Sequence, residues 1–178
     1  MSVESDNAGL VEVFTGNGKG KTSAALGIAL RASGHGMRVH VIHFMKGDYP
    51  YGERKTLTLL PGVTSQSFGL TEFCNPNNPS EEQKEQAREG LKAAREAVLR
   101  GGYDIVILDE INVAVAWKLL AIEDVMRLIE EKPSKVELIL TGRYADPKLI
   151  ERADLVTEMV EVKHPFRNRV RARQGIEY

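Results

Sequence analysis

At 178 residues the chain is long enough for one domain around one apolar core, and its 42% apolar and 28% charged residues exclude an intrinsically disordered protein. Twenty-four basic residues against 25 acidic ones leave a net charge of −1, so no whole-molecule field gathers nucleic acid or anionic membrane. No apolar run approaches the roughly 18 residues of a membrane span.

The polar leader Met1 to Gly9 lacks the basic-then-apolar pattern of a signal peptide and is expected to be loose. Leu10 to Thr15 reads as a strand with Val11, Val13 and Phe14 as core candidates. A Gly-rich loop follows, then a helix over "KTSAALGIALRASG" ended by Gly34 and Gly36. Val39 to Phe44 is the next strand, a short helix is expected before Pro61, and Val63 to Phe68 is a weaker third strand. The polar stretch 69–79 carries Phe73 and the single cysteine, Cys74, which allows no internal disulfide and fits a reducing, cytoplasmic setting. Ser80 and Gln83 form a capping-box pattern, and Ala87, Leu91, Ala94 and Val98 place one apolar face on the helix they start.

Gly101-Gly102 stop that helix before "YDIVILDE", whose continuous apolar run suits a strand covered on both faces. Helices are expected over 113–120 and 122–131, then a strand over "VELILT" and a short helix in "DPKLIERA". A last strand over "DLVTEMVEV" presents Leu155, Val156, Met159, Val160 and Val162. Strands alternating with helices imply one α/β domain over residues 1–178, a mostly parallel sheet with helices on both faces. Ligands of such sheets sit beyond the carboxyl ends of the strands, where the Gly-rich loop, the 44–53 loop, Asp109 and Thr141 converge.

The loop "TGNGKGKTS" nearly spells G-x-x-x-x-G-K-[ST]: Gly20, Lys21 and Thr22 are in place, but Thr15 stands where the first glycine belongs, with Gly16 and Gly18 instead. Backbone N–H groups from Gly16, Asn17, Gly18, Lys19, Gly20 and Ser23 can nest an anion at the helix N-terminus. Lys21 supplies a point charge and Thr22 a hydroxyl for Mg²⁺ (or Mn²⁺), with Asp109 and Glu110 as carboxylate partners of the metal. A bare Gly-rich turn is the competing reading of the loop, and the distant Asp109-Glu110 pair tells against it. Arg143 either reaches phosphate or is solvated, and Lys19 either adds charge or points to water. Arg167, Arg169, Arg171 and Arg173 recur every second residue, as one face of an extended segment would. Trp117 is read as core, and the four histidines show no metal-ligand spacing. The residues alone thus describe an α/β protein binding a nucleoside triphosphate and Mg²⁺, with the reaction open among hydrolases, kinases and others.

With those pieces assembled, the chain resembles the ATP:corrinoid adenosyltransferases of the CobA/CobO/BtuR type from about Gly9 to Tyr178. The resemblance is carried by "TGNGKGKTSAALGIALRASGHG", "HFMKG" followed by "GE", "YDIVILDEIN", "LTGR", "ADLVTEM", "VKHPF" and "RARQGIEY". It implies a single P-loop NTPase-like (RecA-like) domain and makes Thr15 before Gly16 a family trait. It implies transfer of the 5′-deoxyadenosyl group of ATP to Co(I) of a reduced corrinoid such as cob(I)alamin, with triphosphate as leaving group. It also implies ATP lying reversed in the loop, with Lys21, Glu110 and Phe73 as catalytic residues. Phe73 would displace the lower cobalt ligand, although Asn75 stands where some relatives carry tryptophan. A C-terminal segment closing on the nucleotide, a homodimer and a flavoprotein reductant belong to the same expectation. A small-molecule kinase or NTPase, and a non-catalytic ATP-dependent corrinoid-binding module, are the alternatives.

Overall fold

The computed structural model describes residues 8–47, 51–72 and 74–178. Six strands form one sheet: β1 (Val11–Thr15), β2 (Val39–His43), β3 (Val63–Ser67), β4 (Ile105–Asp109), β5 (Glu137–Thr141) and β6 (Leu155–Glu158). Their order is β3-β2-β4-β5-β1-β6 and every neighbouring pair is parallel. The helices are α1 (Lys21–Gly34), α2 (Gly52–Leu57), α3 (Glu81–Arg100), α4 (Ile111–Ala116), α5 (Ile122–Glu131) and α6 (Pro147–Arg152). No helix among the described residues is long and apolar enough to cross a membrane.

The apolar strands divide by alternation. Val39, Val41, Ile105, Ile107 and Ile139 face one side, packed against Ala25, Ala29 and Ala32 of α1 and Leu57 of α2. Ile42, Val106, Leu108, Leu138 and Leu140 face the other, against α3, α4, α5 and α6. A central parallel strand has no solvent face, which is why "IVIL" is continuous rather than alternating. The capping box of α3 forms as expected, with Ser80 and Gln83 each accepting from the other's backbone N–H. Helix α1 ends in a Schellman turn with Gly36 in the left-handed region, Met37 donating to Ala32 and Gly36 to Ser33.

Three expectations need correction. Helix α4 spans Ile111–Ala116, not 113–120. Lys118 takes φ 57°, and the backbone N–H groups of Leu119 and Lys118 return to Ala114 and Val115. This is a helix-ending turn with lysine where glycine is usual, so no composition cue marks it. Strand β6 is only Leu155–Glu158, and all four residues are exposed at the sheet edge beside β1. The arginines from 167 to 173 do not share an extended face: Pro165–Asn168 is a 3-10 turn and Arg169 is left-handed. Arg167 pairs with Glu161, and Arg173 with Glu177.

Candidate active site at the carboxyl ends of the strands

The Gly-rich loop joins β1 to α1, and its glycines are required twice over. Gly16 has φ 94° and Gly20 φ 120°, both in the left-handed region. A Cβ on Gly16 would sit 2.5 Å from the Met159 carbonyl oxygen, and one on Gly18 2.7 Å from the same atom. The loop therefore lies flat on the chain leaving β6, and the Gly18 N–H donates to Met159 O at 2.6 Å. No side chain caps α1, so its first-turn N–H groups remain directed to the cleft. Lys21 is buried, and its ammonium donates to Gly16 O at 2.8 Å and Gly18 O at 2.6 Å. Burial lowers its pKa, against the pull of the Glu110 carboxylate. Lys19 lines the cleft and stays partly exposed, its Nζ donating to Ile176 O at 2.8 Å and Glu177 Oε1 at 2.9 Å.

Asp109, at the end of β4, is wholly buried and is the hub of the site. Its Oδ1 accepts from the Thr22 hydroxyl at 2.8 Å and the Thr141 hydroxyl at 2.7 Å. Its Oδ2 accepts from the Lys46 ammonium at 2.8 Å and lies 2.9 Å from His43 Nδ1. Those four partners fill its acceptor sites. Burial alone would raise the Asp109 pKa; the His43 hydrogen bond and the Lys46 charge outweigh it and hold the carboxyl below its ordinary range. Strand β5 separates β1 from β4, and Thr141 at its end spans the gap, accepting the Glu110 N–H as it donates to Asp109.

Glu110 adopts φ 65°, a strained choice for a residue with a Cβ, which sends its carboxylate beside Gly142. Burial and then the Asp109 charge raise its pKa, despite Lys46, Lys21 and Arg143 nearby. Such a carboxylate gains from a further cation.

A cleft of about 740 Å³ gathers Gly18, Lys19, Gly20, Lys21, Thr22, Ser23, Glu110 and Arg143, closed on one side by His164 and Gly175–Tyr178. Asp109 stands behind it, and Gly16 and Asn17 are outside its lining. Phe73 lies outside the described residues. A second cavity, of about 350 Å³, is lined largely by apolar groups including Met45, Leu70, Cys74, Ala87, Trp117 and Leu119. Trp117, half-buried, packs against the core as expected and also forms part of this cavity's wall, which Leu70, Thr71, Glu72 and Cys74 share. A third, of about 290 Å³, lies between them with Glu110, Arg143 and Trp117 in its wall.

Sequence reasoning passed over Lys46 and His43. The only local signal was a strand end followed by lysine and glycine in "HFMKG". Tyr51, Tyr178 and the cavity role of Trp117 were also unmarked.

Comparison with known proteins agrees with this geometry. A family model described as ATP:corrinoid adenosyltransferase BtuR/CobO/CobP matches residues 7–178. The corrinoid adenosyltransferase of Escherichia coli (strain K12) is 40% identical over 97% of this chain and 87% of its own length. That of a Sinorhizobium species is 38% identical over 100% of this chain and 84% of its own, and corrinoid adenosyltransferase CobA of Salmonella typhimurium is 39% identical over 97% and 87%.

Proposed function

We propose that this chain, which belongs to the ATP:corrinoid adenosyltransferase family BtuR/CobO/CobP, transfers the 5′-deoxyadenosyl group of ATP to Co(I) of a reduced corrinoid and releases triphosphate. The observation that carries the reading within the site is the junction of two unlike cavities. One is built for phosphates by Lys21, Arg143 and a helix N-terminus; the other is walled by Met45, Leu70, Trp117 and Leu119 and suits an apolar macrocycle. The reaction needs no general base. The electron pair of Co(I) forms the Co–C5′ bond, and the C5′–O pair leaves on the triphosphate. The protein's task is to align the substrates and to stabilise a departing polyanion.

The residues fit a Mg²⁺ (or Mn²⁺) ion. Thr22 donates its hydroxyl proton to Asp109, leaving its oxygen lone pairs for a cation, and Glu110 is an oxygen donor with a raised pKa. Thr22 and Glu110 would hold the ion, with Asp109 orienting Thr22 from behind. Among the described residues no three His, Cys, Asp or Glu side chains gather into a metal site, so phosphate oxygens would complete the shell. That ion would supply charge neutralisation on the leaving triphosphate.

Around this core, Lys21 binds and neutralises phosphate, and the N–H groups of Lys19 to Ser23 form the nest, the Gly18 N–H being taken by Met159 O and Gly16 and Asn17 lying outside the cleft lining. Phe73, in the 69–79 stretch, would act on the lower face of the corrinoid. A homodimer is supported by the exposed Val160, Val162 and Phe166 beyond β6. A cytoplasmic location and a flavoprotein reductant suit a substrate that must be held as Co(I).

The test is anaerobic mixing with ATP, Mg²⁺ and chemically reduced cobalamin. A light-sensitive Co–C product with stoichiometric triphosphate is expected. ADP and phosphate without that product would mean a kinase or NTPase instead, and retention of both substrates without turnover a binding module.

A further inference from the structure

Only two of the described residues, Lys46 and Tyr51, line all three cavities, and Lys46 is the one cation among the described lining of the second. Its side chain is 12% exposed, and its ammonium is fixed from several sides. Asp109 Oδ2 accepts from it at 2.8 Å, Glu53 Oε1 stands at 3.7 Å, and the Tyr51 ring centroid lies 4.8 Å away. The backbone beneath it is equally constrained. Met45, just before it, is left-handed at φ 58°. Gly69 approaches so closely that a Cβ there would sit 2.8 Å from Met45 Cα and 3.0 Å from the Lys46 nitrogen; one on Gly47 would meet the Leu70 carbonyl carbon at 2.7 Å. Two loops, 45–47 and 69–71, thus interlock backbone to backbone, and their product is one ammonium held where the phosphate cleft opens into the apolar cavity.

We propose that Lys46 is a catalytic residue of the transfer: its ammonium donates to the oxygen that C5′ leaves behind. This rests on the adenosyltransferase reading above. An ammonium has three donors, and Asp109 takes one; Glu53, at 3.7 Å, is beyond hydrogen-bonding distance. Among the described residues Asp109 is the one hydrogen-bond acceptor of this ammonium, which leaves a donor for the leaving group. As the Co(I) electron pair forms the Co–C5′ bond, the C5′–O bonding pair passes to the α-phosphate oxygen, and the charge that develops there meets a cation already in position. No proton is transferred. Lys21, which lines the cleft but neither of the other two cavities, serves ground-state phosphate binding; Lys46 acts on charge that appears only as the bond breaks.

The experiment compares wild type with Lys46→Gln, Lys46→Met and Lys46→Arg, using pre-reduced cob(I)alamin in single turnover and ATP binding at equilibrium. Loss of one donor to a developing oxyanion predicts a rate about 10²-fold lower or more in Lys46→Gln. The ATP dissociation constant should stay within about threefold of wild type, because uniform binding is untouched. Lys46→Met, similar in volume and uncharged, reads the same way should the glutamine variant fold poorly, and Lys46→Arg should recover part of the rate. ATP affinity falling in step with the rate, or uncharged variants as fast as wild type, overturns the inference while leaving the function intact. So does an arginine variant no faster than glutamine. Wild type that forms no Co–C bond removes the parent reading and this one with it.

Discussion

Asp109→Asn is the most informative single change to the frame of the site. The side chain keeps its shape but loses its charge, and all four partners must re-pair with an amide. If the amide oxygen stays with His43 and Lys46, its NH2 group faces the Thr22 and Thr141 hydroxyls, which can accept. Lys46, whose side chain is 12% exposed, is then left with a neutral acceptor and the more distant Glu53. Removing one partner of a buried ion pair costs about 3–5 kcal/mol, chiefly because the other charge remains buried. At this chain length about 1 kcal/mol moves Tm by about 2–4 °C, so a fall of about 6–20 °C is expected. Urea denaturation of wild type, Asp109→Asn, Lys46→Met and the double variant closes a cycle. The double variant should be more stable than the sum of the single losses predicts, by about 1–3 kcal/mol. A loss below about 1 kcal/mol in Asp109→Asn, or strict additivity, would refute the buried pair as the organising contact.

Three further outcomes are expected. Gly18→Ala places a Cβ 2.7 Å from Met159 O and 2.8 Å from Val160 O, so stability should fall by about 1–3 kcal/mol and ATP affinity with it; calorimetry showing neither would contradict the loop's seat on that segment. Glu12 is pushed from its ordinary 4.5 up to about 7, by burial first and then by the hydrogen bond and charge of Glu137. The fold therefore holds this proton more tightly than the unfolded chain: its contribution is complete below about 4.5 and is lost as pH rises through about 7. Glu12→Gln should raise Tm at pH 8 and hardly at pH 5, whereas an equal gain at both would deny the shift. Trp117→Ala should weaken corrinoid binding about tenfold, ~1.4 kcal/mol, with ATP affinity unchanged; a loss of ATP affinity instead would return Trp117 to a structural role.

What could be read in the sequence is what short stretches encode. The Gly-rich loop between β1 and α1, the Ser80 capping box, the apolar "IVIL" strand and the Gly36 helix end are set by neighbours a few residues apart, and each forms as expected. Convergence on Asp109 is different in kind. Lys46 and His43 reach it across 63 and 66 positions of chain, and nothing local in either predicts the meeting. The end of α4 was hidden because Lys118 takes a backbone conformation that glycine or asparagine usually announces. The exposure of β6 depended on strand order, which periodicity does not fix. The arginine spacing was genuine, but Pro165 and the pairings with Glu161 and Glu177 break the line it implied.

The strand order has a consequence in time. Strand β1, first in the chain, pairs only with β5 and β6, so Val11 meets Leu138 and Glu12 meets Leu155. During synthesis at roughly 5–20 residues per second, β1 waits several seconds or more without a partner on either edge. Strands β2, β3 and β4 can assemble meanwhile, since each finds its neighbour within that early set. The Gly-rich loop, tethered to β1, is thus made well before the strands that hold it in place. Such distant pairing points to slow folding, with an unpaired apolar strand awaiting its neighbours.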